Sequence, residues 1–252
     1  MSDRSKRQRG PKRDEAAELG LPSYVWRAGQ ERRFQMVRRW TDLKDRCVLD
    51  VGCGVGMYTD AFCRETPNVV GVEIGHDRAL EARAHARDMT QAAGERLPFA
   101  EAVFDVVFSH EVLEHVTNDR ACLREMARVT RERGRIAIFV PNRLYPFETH
   151  GVYWQGRYHF GNVPLVNWLP TKLRDQLAPH VRAYTTRDLH RLLEGLPLRV
   201  VHHSQIYPGY DNVRSRAPAL GWFLRRVSWL LERTPLQAFG LSHFLVVEKV
   251  SP

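Results

Sequence analysis

The run Cys47–Phe62, CVLDVGCGVGMYTDAF, constrains the fold more than any other stretch of the chain. Val48, Leu49 and Val51 make an apolar stretch around Asp50, and Gly52, Gly54 and Gly56 follow at alternate positions before helix-compatible residues. That is the pattern of a buried strand, a tight glycine turn and a helix start, a layout that cradles a nucleotide-like cofactor. A dinucleotide-binding turn needs G-x-G-x-x-G, so that backbone amides can approach a pyrophosphate. Here the spacing is G-x-G-x-G with a carboxylate just before it. A carboxylate repels a pyrophosphate and attracts an ammonium group. The loop therefore suits a ligand with a cationic amino-acid end and an adenosine end.

A second buried strand is expected at Asn68–Ile74, NVVGVEI, with Glu73 at its end. Glu73 stands about twenty residues beyond the turn, where an acid that binds ribose hydroxyls is expected. Further strands are expected at 46–52, 90–93, 104–110, 135–142, 198–206 and 243–250, with helices near 24–40, 57–65, 77–87 and 118–130. Alternation of this kind gives a parallel, doubly wound α/β sheet with helices on both faces. Thr185 and Asp188 form a capping box ahead of the sixth strand, and Gly195 marks the far end of that helix.

DVGCGVG and VVGVEI, followed by ERLPFAEAVFDVVFSHEVLEHV (95–116) and GRIAIFVPNR (134–143), resemble the ordered motifs of class I S-adenosylmethionine (SAM) methyltransferases. Order and spacing are similar to the small-molecule branch that includes quinone-biosynthesis enzymes. The resemblance covers roughly residues 46–143 and implies a Rossmann-like seven-stranded methyltransferase sheet with an antiparallel last strand. It also implies SAM as cofactor, with Asp50 at the amino end, Gly52, Cys53, Gly54 and Gly56 along the methionine and ribose portions, and Glu73 and Ile74 at the ribose. Ser109 and His110 should lie beside the methionine portion. Where the related pattern carries Asp or Asn two residues before Glu-x-Leu-Pro-Phe, this chain has Ala93, which leaves Gly94 and Glu95 to meet the adenine. In related enzymes a helix such as 24–40 caps the cofactor, and Tyr24 with Arg32 and Arg33 can reach its carboxylate.

The implied activity is methyl transfer to a small-molecule or lipid-like acceptor, O-methylation ahead of C-methylation. The alternative is a SAM- or nucleotide-binding regulatory module without catalysis. An O-methyltransferase is served by a base that titrates near neutral pH, and His150, His159 and His110 are the candidates. Glu111, Glu114 and His115 form E-x-x-E-H, which on a helix would share a face able to hold a divalent metal. A similar cluster is associated with metal dependence in some quinone O-methyltransferases. Leu-Glu-His-Val also occurs in this branch without metal, packing a helix start, so no metal is assigned. His202 and His203 face opposite sides of a strand and are expected to be structural.

The rest of the chain divides into a basic tail and two insertions. At 252 residues and net charge +9, the chain has the size of one domain with additions. Residues 1–13 carry Arg4, Lys6, Arg7, Arg9, Lys12 and Arg13 against Asp3, a composition expected to be disordered. Residues 14–252 are expected to form the methyltransferase domain, with SAM-binding core 46–143, an acceptor-covering insertion 144–180 and a helical insertion 207–242. Tyr145, Phe147, Tyr153, Trp154, Tyr158, Phe160 and Trp168 crowd the first insertion. In the second, Leu220, Phe223, Leu224, Val227, Leu230 and Leu231 share a helix face near Trp222, Trp229, Arg225, Arg226 and Arg233. That composition suits peripheral contact with an anionic membrane, or packing on the domain or a second subunit. No apolar leader, zinc spacing or nucleic-acid recognition module is visible, so a cytoplasmic location is expected, with peripheral contact at the inner membrane face.

Overall fold

The computed structural model describes residues 25–85 and 88–251. The expected basic tail, 1–13, and Tyr24 lie outside the described residues. In chain order come α1 (Ala28–Trp40), β1 (Val48–Val51), α2 (Met57–Cys63), β2 (Val69–Glu73), α3 (His76–Ala82), β3 (Asp88–Gln91), β4 (Phe104–His110), α4 (Asp119–Val129) and β5 (Thr130–Pro141). The first insertion supplies β6 (Phe147–Glu148), β7 (Val152–Trp154), β8 (Arg157–His159), β9 (Val163–Pro164) and α5 (Thr171–Leu177). Then follow α6 (Thr186–Leu193), β10 (Leu198–Ile206), α7 (Asp211–Arg216), α8 (Pro218–Leu231) and β11 (Ser242–Lys249).

Seven strands form one sheet in the order β10-β11-β5-β4-β1-β2-β3. β11 runs antiparallel to both of its neighbours, β5 and β10, as the sequence led one to expect. The order reverses at β1, between β4 and β2, and the carboxyl ends of these strands are where an open α/β sheet binds ligands. Strand side chains alternate between two apolar layers. Leu49, Val51, Val107, Ile136, Ile138 and Leu245 face α4 and α6. Val48, Val106, Phe108, Phe139 and Phe244 face α1 and α2. The capping box at Thr185 is formed: its hydroxyl accepts from Asp188 N, and the Asp188 carboxylate accepts from Thr185 N.

His202 stacks on Trp40 and His203 bonds to His243, so both are structural, as expected. The stretch after β4 departs from the helix considered for it. Glu111 takes a left-handed φ of 56°, and residues 112–116 make turns held by His115 N to Val112 O. Glu111, Glu114 and His115 therefore do not line one helix face.

Phe62 is fully buried, with its ring edge-on to Phe34 at 5.3 Å and Phe108 at 5.2 Å. Phe62→Ala opens a cavity between α1, α2 and β4, and should lower unfolding free energy by about 3–5 kcal/mol. Urea denaturation followed by circular dichroism is the check.

Candidate functional site

A cavity of about 800 Å³ opens at the carboxyl ends of β1, β2 and β4. Its walls include Asp50, Gly52, Cys53, Gly54, Glu73 and Ile74 on one side, Gly94, Glu95, Val116 and Thr117 on another, and His110, Glu111, His115, Thr149 and His150 on a third. The glycine turn is shaped by its backbone. Gly52 and Gly54 have φ of 71° and 57°. A Cβ on Gly52 would fall 2.3 Å from Val112 Cγ2, so both conformation and space require glycine there.

Two carboxylates organise the cofactor half. Glu73 accepts Gly54 N–H on Oε2 at 2.9 Å and Gly75 N–H on Oε1 at 2.8 Å, pinning the glycine turn to the end of β2. Each oxygen keeps a further lone pair. Asp50 is buried, and its Oδ2 accepts from the Thr59 hydroxyl at 2.7 Å. Burial, reinforced by the neighbouring Glu73 charge, pushes its pKa up to about 7 against that hydrogen bond. Arg33 reaches the same cavity from α1, whereas Arg32 pairs with Glu232 and does not line it.

The other half is built from the turn after β4 and from the insertion. Tyr184 donates to Leu113 O, and Arg182 donates from its backbone to Glu114 O and from its guanidinium to Thr117 O, fixing that turn. Glu114 is buried, and neither carboxylate oxygen meets a hydrogen-bond partner among the described residues. Burial pushes its pKa up to about 8, with Glu111 and Glu148 adding to the rise and His150 opposing it. His150 Nδ1 lies 3.1 Å from Glu148 Oε1, and the other oxygen of Glu148 accepts from Arg174 Nη2 at 2.8 Å. Glu148 and Arg174 are both buried, and Arg174 also donates to Val181 O and Asn167 Oδ1. Burial would lower the His150 pKa, but the Glu148 hydrogen bond and the charges of Glu111, Glu114 and Glu148 outweigh it and raise it. Against its burial, the ring and amide of His150 and the charge of Arg174 draw Glu148 down to about 2. His110 sits among Tyr58, Phe108 and Phe139, where loss of water pushes its pKa down to about 4.

Most of the expected site residues meet in this one cavity, and besides Arg32 three do not line it. Gly56 caps α2 with φ 88° and packs on Ala82. Ser109 is buried with its hydroxyl unpartnered among the described residues, outside the lining. His159 is exposed on β8, away from the cavity. The aromatic covering of the acceptor side needs correction too. Of the seven aromatics in the insertion only Phe160 lines the cavity, while Trp154 and Trp168 face outward. Glu95 binds the amides of Thr117 and Asn118 through Oε1, which makes it a brace of the following turn. Tyr58, Glu148 and Arg174 had no signal in the sequence, because nothing in their local pattern separates them from ordinary core or surface residues.

Residues 49–138 match the family model described as "Methyltransferase domain". The chain is similar to the ubiquinone biosynthesis O-methyltransferase of Hydrogenovibrio crunogenus, with 25% identity over 52% of this chain and 56% of that one. It is 37% identical to an uncharacterized methyltransferase of Mycolicibacterium gilvum over 44% of this chain and 45% of that one. The chain thus spans about half the length of the curated relatives it matches. Among solved structures, an S-adenosylmethionine-dependent methyltransferase of Mesorhizobium loti superposes with a TM-score of 0.62 at 16% identity, over 88% of this chain and 98% of that one. Residues 49–138 thus carry a methyltransferase domain.

SAM is the cofactor of such a domain, and the residues present fit it. Among the described residues the desolvated Asp50 carboxyl has no cationic partner, which an amino group would provide. Glu73 keeps lone pairs for two hydroxyls, Arg33 offers a cation to a carboxylate, and Ile74, Ala93, Gly94 and Val116 supply apolar wall to the same cavity for a flat base. One neighbour shows that the fold alone does not fix the chemistry, for the [4+2]-cyclase SpnF superposes with a TM-score of 0.58 at 16% identity, over 90% of this chain and 83% of that one.

Glu73→Ala should weaken SAM binding at least tenfold by calorimetry, since two charge-assisted hydrogen bonds contribute together about 2–4 kcal/mol. At pH 6.5 an ammonium beside Asp50 should expel its proton. Calorimetry in buffers of different ionisation enthalpy should show proton release on binding, lost in Asp50→Asn. Stability should carry the opposite sign of the usual carboxylate. Asp50 and Glu114 hold protons in the folded state that the unfolded chain has released above about pH 4.5. Raising pH from 6.5 to 8 should therefore lower the melting temperature of the ligand-free protein, and Glu114→Gln should flatten that slope.

Proposed function

We propose that this protein is a SAM-dependent methyltransferase that acts on a small, lipid-like acceptor and methylates a hydroxyl oxygen. The observation that carries this reading is that the cofactor residues share one cavity with His150, whose ring is held by the buried Glu148–Arg174 pair. A regulatory module that only senses SAM has no use for a second half-cavity with an anchored base. The name of the Hydrogenovibrio relative supports an oxygen acceptor, and the apolar lining from Phe108, Val112 and Phe160 supports a lipid-like one.

When bound, SAM supplies an electrophilic methyl group on a positively charged sulfur. The protein's part is to orient the acceptor, exclude water and take a proton. With Nδ1 donating to Glu148, the ring is fixed in the tautomer whose Nε2 is a base. Nε2 of His150 accepts the hydroxyl proton, and Glu148 stabilises the cation that results. His110, neutral and packed among rings, walls the path against water. His159, exposed on β8, is not assigned a part.

A second reading rests on Glu114. One ligand atom from each of Glu114, His115 and His150 lies within 4.8 Å of the others, and Glu114 has both oxygens unpartnered. These residues fit a divalent cation, which would polarise an acceptor oxygen. Full activity after exhaustive chelation would remove this reading and leave the base alone.

The test is turnover of methyl-labelled SAM with quinol and lipid extracts, with the product examined for an O-methyl ether. His150→Ala should cut turnover about 10²-fold with SAM affinity unchanged. Because His150 must be unprotonated and its pKa is raised, the rate should fall as pH drops through a value above 6.5. Glu148→Gln removes the anion that raises it, so the limb should move to lower pH. A C-methylated product, or full turnover in His150→Ala, would sink the proposal.

A further inference from the structure

The helix α8 is packed inside out. Gly221, Arg225, Ser228 and Glu232 follow the i, i+4, i+7, i+11 spacing of one helix face, and this face meets the domain. Gly221 lies so close to α7 that a Cβ would fall 2.7 Å from the Arg214 backbone. Ser228 bonds to the Tyr210 hydroxyl, and Glu232 takes Arg32 of α1 and the Tyr207 amide. The face turned to the domain is thus small and polar. The apolar face points outward: Leu220 is 53% exposed, Phe223 57% and Leu230 64%. Folding normally does the reverse, since exposed apolar area forfeits about 25 cal/mol per Å².

We propose that this outward stripe docks on an anionic membrane surface. Charge identifies the occupant. From Arg214 to Leu231 the chain has arginines at 214, 216, 225 and 226 and no acid. The flanking acids are committed inward, Asp211 to Gly29 N and Glu232 to Arg32. Arg226 and Arg233 are exposed along one border of the stripe, and Trp222 lies 60% exposed beneath the Arg226 guanidinium. Apolar side chains between arginines and a tryptophan match an interface with hydrocarbon below and anionic headgroups beside it. Beyond α8 the surface continues through exposed Phe239 to Trp168 of the insertion, 6.3 Å away between rings. No helix among the described residues is long and apolar enough to cross a membrane, so the contact is one of lying on the surface. The Arg32–Glu232 pair ties the docked helix to α1, whose next residue, Arg33, lines the cofactor cavity.

Vesicle binding is read without turnover, so it stands or falls apart from the acceptor's chemistry. The full chain is sedimented with vesicles of phosphatidylglycerol and phosphatidylcholine, and with phosphatidylcholine alone. It should partition onto the anionic vesicles at low salt with a blue-shifted tryptophan emission, and release as salt rises. The double change Phe223→Ser with Leu230→Ser should weaken partitioning at least tenfold, and so should Arg226→Gln with Arg233→Gln. All four residues are exposed, so circular dichroism should not change. Arg225 is left intact because it sits on the inward face and stacks on Trp229. Unmodified partitioning in the serine variant would overturn the proposal, as it would show that binding resides elsewhere, in the basic N-terminal residues above all. Indifference of the full chain to anionic vesicles would overturn it too. So would a concentration-dependent dimer in light scattering that the serine variant abolishes, for then the stripe covers a second copy.

Discussion

The cavity wall built by the segment after β5 hangs on the buried pair Arg174–Glu148. An isolated buried charge is costly, and a pair is retained only when its remaining donors and acceptors are also met. Here they are: Arg174 reaches Asn167, Val181 O and Glu148, while Glu148 also takes the His150 amide and ring. Removing either partner would strand the other in the interior, with a penalty of about 3–5 kcal/mol. The pair therefore does two things at once. It closes the insertion on itself without a large apolar core, and it fixes one imidazole at the cavity wall.

The same cavity sorts its carboxyls by their partners. Glu148, with three donors of which one is the Arg174 cation, is driven down to about 2. Asp50 and Glu114, equally buried but short of cations, rise to about 7 and about 8. Desolvation acts on all of them, and the difference is made by what each has been given in return. Under the proposed function Asp50 would face an ammonium group, and Glu114 would serve as an acidic proton or a cation ligand.

The inverted α8 shows a different compromise. Gly221 and Ser228 are weak helix formers and bury little area, yet they permit a close backbone approach to α7. The residues with the most to gain from burial are left outside. Polar contacts to α1, the Arg32–Glu232 pair above all, hold the helix in that orientation.

The sheet and the cofactor half were legible in the sequence because their determinants are local. Alternating apolar runs, glycines with positive φ and an acid at a strand end each act within a few residues, and Asp50, Gly52, Gly54, Glu73 and Gly94 all line one cavity. His110 and His150, chosen as residue types that titrate near neutral pH, line the cavity, whereas His159, of the same type, is exposed. What the tertiary structure alone decided was partnership and facing. Arg174 and Glu148 are 26 residues apart, and Arg32 and Glu232 are 200 apart. No local pattern announces that such charges will meet, since their pairing depends on how the insertion and the C-terminal helices close around the sheet. The periodicity of α8 likewise gave it an apolar face but not its direction. Direction was set by the small residues on the opposite face, whose close contact with α7 left the larger ones pointing away.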